Sequence, residues 1–126
     1  MADKDKDTQM NTPHNSNILE LSSQSELNDC TSQGIVLIVF GSLWCHPCQI
    51  QWPFLHEAAE RSSRPVVLAQ VDAEEHETLA NAYKIEGLPT ILLFHHGVLF
   101  KRFVGVQTTD ELLAAIQEAH VKNQTQ

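Results

Sequence analysis

Among 126 residues there are only eight lysines and arginines against sixteen aspartates and glutamates, a net charge of −8. That balance disfavours nucleic-acid binding, which needs a concentrated basic patch to hold phosphates. Cysteine is scarce as well, and three residues are too few for a disulfide-stapled secreted scaffold. No run approaches the roughly 18 consecutive apolar residues of a membrane span, and no G-x-G-x-x-G motif calls for a bound flavin or nicotinamide. Repeats and low-complexity tracts are also missing. The opening stretch, MADKDKDTQMNTPHNSN, carries no apolar run behind its charges, so no secretory signal is expected and the expected location is the cytoplasm.

What is present fits one soluble domain. The 42% hydrophobic content suffices for a single core, and the length is too short for two. Residues 1–17 are polar and nearly free of aliphatic side chains, which predicts a flexible tail; 18–121 is the expected domain, and 122–126 a short C-terminal tail. The run GIVLIVFG (34–41) predicts a strand buried on both faces. From Pro47 to about Ser62 the apolar residues Ile50, Phe54, Leu55 and Ala58 recur at helical spacing, with a kink expected at Pro53.

PVVLAQVD (65–72) returns to strand character, and Asp72 with Glu75 resembles a capping box opening the next helix. TILLF (90–94), HHG and VLFKRFVG then read as a hairpin, with His95 and His96 exposed in its turn. Thr108 with Glu111 is a second capping-box candidate, ahead of an amphipathic helix marked by Leu112, Leu113 and Ile116. The weaker stretch ILELS (18–22) predicts either a short edge strand or the lead into a helix. This order implies an α/β fold, with a mixed central sheet of four to five strands flanked by helices on both faces.

The chemistry concentrates in SLWCHPCQIQWP (42–53). A close cysteine pair in a reducing compartment is either a metal clip or a redox dithiol. Zinc needs four ligands, and neither a second C-x-x-C nor an H-x-x-x-H is present, so no metal is expected. Cys45 follows a predicted strand and starts a predicted helix, where free backbone N–H groups favour a thiolate. Cys48, three positions on, shares its helix face. Cys45 is therefore the candidate attacking thiol and Cys48 the resolving one. Cys30 lies apart and is expected to be a reduced, partly buried thiol; Trp52 is expected to be packing.

WCHPC after a strand, Pro53 in the following helix, GLPT (87–90) before the next strand and Gly105 after the hairpin together resemble the thioredoxin family. The resemblance spans about residues 18–121. It implies a thioredoxin fold and a dithiol-disulfide oxidoreductase, working through a redox-active Cys45–Cys48 disulfide without a bound cofactor. Position by position, Cys45 matches the family's nucleophile, Cys48 its resolving cysteine and Pro89 its cis-proline. Trp44, Pro47, Leu88, Val104 and Gly105 match the apolar surface that meets substrate.

The implied partners are disulfide-containing proteins and a separate thioredoxin-reductase-like electron donor, with no nucleic acid, no membrane and a monomeric chain. Three positions depart from the family pattern: His46 stands where glycine is usual, Val39 where a buried aspartate is usual, and Gln70 where a lysine is usual. With Pro47 these are the candidate redox-tuning residues. An imidazole beside Cys45 favours the thiolate and a more oxidising couple, and the missing carboxylate removes a proton relay for Cys48. The departures leave two other functions open: a binding or chaperone module with low turnover, or a disulfide oxidase or isomerase.

Overall fold

The computed structural model describes residues 18–124, and the expected polar tail at 1–17 lies outside the described residues. Five strands form one sheet: β1 (Ile18–Glu20), β2 (Ile35–Gly41), β3 (Val66–Asp72), β4 (Thr90–His95) and β5 (Val98–Val104). Four helices complete the described chain: α1 (Gln24–Thr31), α2 (His46–Arg61), α3 (Glu77–Ala82) and α4 (Thr109–Gln124). The strand order is β1-β3-β2-β4-β5; β1, β3 and β2 run parallel, and β4 and β5 are antiparallel to their neighbours.

The continuous apolar run of β2 is explained by its central position, with β3 on one side, β4 on the other and a helical layer over each face. Its alternate residues enter two cores. Ile35, Leu37 and Val39 join Trp52 and Leu55 of α2 and Leu112 and Ile116 of α4. Val36, Ile38 and Phe40 join Leu27 of α1, with Leu79 and Ala80 of α3. A two-sided core of this kind pins the register, because a one-residue slip would exchange the two faces of the strand.

Four local features refine the sequence reading. ILE at 18–20 is an edge strand paired with β3, and the helix follows it. Asp72 does accept N–H bonds from Glu74 and Glu75, but these close a turn and not the start of α3. The reason is that Ala73 is still tied to Gly41 of β2, at 2.8 Å, so the chain cannot coil until it has left the sheet.

His95 is buried within β4, contrary to the expected exposed turn. Its Nδ1 lies 3.2 Å from the Ala119 carbonyl. The hairpin turn is only His96–Gly97, both at positive φ (51° and 84°), which is what a two-residue primed turn requires. The chain's last helix runs to Gln124, past the tail boundary expected at 122. No glycine or proline stops it, and Lys122 in the final turn suits the negative end of the helix dipole.

Candidate active site

Gly41 ends β2, and within four residues the chain reaches the start of α2. Cys45 caps that helix with extended backbone (φ −92°, ψ 103°), and its sulfur accepts the N–H of Cys48 at 3.2 Å. Pro47 occupies the first turn, where its missing N–H leaves nothing unpaired. Sulfur at this place meets the positive end of the helix dipole, which stabilises a thiolate.

Cys45 and Cys48 are joined in a disulfide, with Cα atoms 5.3 Å apart. Their environments differ. Cys45 is half-buried while Cys48 is 5% exposed, so Cys45 is the more accessible of the pair. Gly41 makes the space for the second: a Cβ there would come within 2.9 Å of the Cys48 sulfur.

Sheet register assembles the rest. Phe40 of β2 pairs with Thr90, and Thr90 with Val104, so the next row places Gly41, Pro89 and Gly105 side by side. The Gly105 N–H donates to the Pro89 carbonyl at 2.8 Å. The Leu88–Pro89 bond is cis, with Pro89 buried and Leu88 half-buried. A Cβ on Gly87 would touch the Val104 side chain at 3.5 Å. Thus Leu88, Pro89, Val104 and Gly105 gather beside the strand end that leads to the disulfide.

The surface around Trp44 and the valines is apolar, while Glu74, Glu77 and Glu86 share a pocket with Leu88 at its border. Trp44 is 82% exposed, and Leu43, Ile50, Val104 and Val106 are exposed too. Segments 42–56, 87–90 and 103–109 contain no Asp, Glu, Lys or Arg. His46 and Pro47 are exposed at the helix start.

The remaining candidates sit elsewhere. Val39 is 2% exposed within the α2/α4 core, on the same strand face as Gly41 and one side-chain repeat deeper. Gln70 pairs with Val39 in register, but its carboxamide donates to the Glu20 carboxylate at 3.1 Å, away toward the sheet edge. Cys30 is a free, half-buried thiol on α1, and burial pushes its pKa up. Trp52 is core, as expected from the sequence.

Gly41 and Gln51 are the residues sequence reasoning missed. Gln51, fully buried on α2, exchanges two hydrogen bonds with the backbone of Gln107, at 2.7 and 2.9 Å. A polar residue at a core-facing helical position was the available signal. Among the described residues, no three His, Cys, Asp or Glu side chains gather where a metal could be held, and no helix is long and apolar enough to cross a membrane.

Residues 17–118 match the sequence model of the family named Thioredoxin. The chain is 38% identical over 84 residues to chloroplastic thioredoxin Y2 of Arabidopsis thaliana, covering 67% of this chain and 50% of that protein. It is 31% identical over 101 residues to a thioredoxin of Chlamydia caviae, covering 80% and 98% respectively. The chain spans about half the length of the plant relatives it matches. Among solved structures, a mutant thioredoxin from Halobacterium salinarum superposes with a TM-score of 0.73 at 36% identity, covering 80% of this chain and 88% of that one.

Proposed function

This chain belongs to the thioredoxin family, and from that premise we propose that it is a thiol-disulfide oxidoreductase reducing protein disulfides through Cys45 and Cys48. The observation that carries the reading is the disulfide itself, placed at a helix start with Cys45 half-buried and Cys48 buried.

In the reduced protein, the Cys45 thiolate attacks one sulfur of a substrate disulfide. That S–S bond breaks, a Cys45–substrate disulfide forms, and the departing thiolate takes up a proton. Cys48 then loses its proton and attacks the Cys45 sulfur. The Cys45–Cys48 bond closes and the second substrate thiol leaves. Two electrons have passed to substrate with two protons, one from Cys48 and one from solvent, and a separate thioredoxin-reductase-like donor returns the electrons. No bound cofactor enters the cycle.

The exposed Trp44, with Leu88, Val104 and Gly105 beside Pro89, forms the surface on which an apolar substrate segment rests. His46 and Pro47 beside the nucleophile, Val39 behind the pair and Gln70 turned toward Glu20 set the redox chemistry. The reading includes a monomeric protein in the cytoplasm, a reducing compartment that keeps such a dithiol charged.

Insulin reduction by dithiothreitol tests the activity. The protein is expected to accelerate it, Cys45→Ser to abolish the acceleration, and Cys48→Ser to stall as a mixed disulfide. Absence of acceleration by the unmodified protein refutes the reading. It would favour the second one, a thioredoxin-fold binding module, which draws on the apolar Val39 where a proton-relaying carboxylate would otherwise serve Cys48. An oxidising couple in glutathione buffers would point to a disulfide oxidase or isomerase instead.

A further inference from the structure

Between the end of β5 at Val104 and the first residue of α4 at Thr109, the chain follows no regular element. Gly105 adopts a φ of +92°, and the valines flanking it are exposed. Two contacts hold this loop. The Gly105 N–H donates to the Pro89 carbonyl at 2.8 Å. Gln107 is gripped at both its backbone groups by one side chain: its N–H donates to Gln51 Oε1 at 2.7 Å, and its carbonyl accepts from Gln51 Nε2 at 2.9 Å. The Gln107 side chain then bonds the Gly105 carbonyl at 3.2 Å.

Gln51 lies one helical turn beyond Cys48 and is 0% exposed. A buried carboxamide is costly unless bonded, and an apolar residue here would leave two half-buried backbone groups without these partners.

We infer that Gln51 is a positioning residue for disulfide exchange: it clamps the Val104–Gln107 loop to the helix carrying Cys48, preforming the surface that receives a protein substrate. The inference rests on the activity proposed above. Ordering a loop residue costs about 1–2 kcal/mol, and a loop fixed in advance does not charge that cost to substrate binding. Loss of the clamp therefore weakens capture of protein disulfides more than attack on small ones, which need no loop.

The test is Gln51→Met, close in length and volume but without the carboxamide, with Gln51→Glu retaining the acceptor for the Gln107 N–H. Steady-state kinetics with insulin are compared with reaction on a small aromatic disulfide, and amide hydrogen exchange is followed at Gln107. The expected result for Gln51→Met is a KM for insulin raised about fivefold with kcat nearly constant, a matching fall in the ratio of insulin to small-disulfide kcat/KM, and faster exchange at Gln107. Gln51→Glu should fall between, and it supplies the same comparison if Gln51→Met does not fold.

An unchanged ratio in a variant whose Gln107 amide has been released overturns the inference, as does equal loss on both substrates. Unaltered exchange at Gln107 removes the clamp itself. Failure of the unmodified protein to reduce insulin, with its Gln107 amide protected, strikes the proposed activity while leaving the clamp in place.

Discussion

Val39 is an apolar side chain buried in the core behind the end of β2. It lies on the strand face of Gly41, about 7 Å along the strand from it, and Gly41 abuts the sulfur of Cys48. A carboxylate at that depth would oppose ionisation of the thiols, whereas valine does not. In the reduced protein, the Cys45 thiol at the start of α2 is therefore expected to titrate below the free-cysteine value of about 8.5. In Val39→Asp the titration should move upward, and the buried charge should cost on the order of 3 kcal/mol of stability. Thiolate absorbance against pH and a urea transition measure the two effects; an unmoved titration in a folded variant would sever Val39 from the redox chemistry. Cys45 and Cys48 could be found in the sequence because residues three apart meet in any helix. Gly41 could not, since it is defined by a contact with Cys48 across a loop, and for Gln51 the sequence offered a polar residue on a core-facing helix position but not its partner Gln107, 56 positions away.

Among the elements, α4 is the one whose start was written most plainly. The Thr108 hydroxyl accepts the Glu111 N–H at 3.2 Å, and the Glu111 carboxylate accepts the Thr108 N–H at 2.9 Å, the reciprocal box read from the sequence. Thr108→Ala should cost about 1 kcal/mol, read as a lower urea midpoint at unchanged slope, with Thr108→Ser restoring most of it. An unshifted midpoint would mean that the helix start is held by its packing alone, for which the Thr109 hydroxyl bonded to the Phe54 carbonyl is the obvious candidate. The same pattern at Asp72 and Glu75 misled because a capping box is a local signal. There the bond from Ala73 to Gly41 kept the chain in the sheet, and no local pattern reports a bond to a strand 32 positions earlier. The hairpin was legible in type but not in extent, since only the pairing of His95 with Val98 and Ile35 lengthens β4 into the turn motif.

For the molecule as a whole, that extra strand residue buries an imidazole at the far end of β2 from the cysteines. Burial lowers the pKa of His95, helped by the neighbouring His96, whose ring centre is 4.5 Å away, and less strongly by His120; the Ala119 carbonyl opposes the shift. A ring harder to protonate when folded stabilises the protein fully above the unfolded-state pKa of about 6.5 and loses that contribution as the pH falls from there through the folded value. Stability should therefore decline on acidification across this window, and His95→Leu should flatten the decline, with His96, His120 and the Arg64 side chain bonded to His120 retained in both proteins. Equal slopes in urea titrations from neutral to mildly acidic pH would refute this. The strand and helix types other than β1, the cysteine pair and the cap of α4 followed from the sequence because each depends on neighbours within a turn or on the periodicity of one element. Which side chains back the disulfide, what grips the loop at Gln107 and which histidine is buried were decided by the tertiary structure, because each is a contact between elements whose approach only the closed sheet and its two helical layers determine.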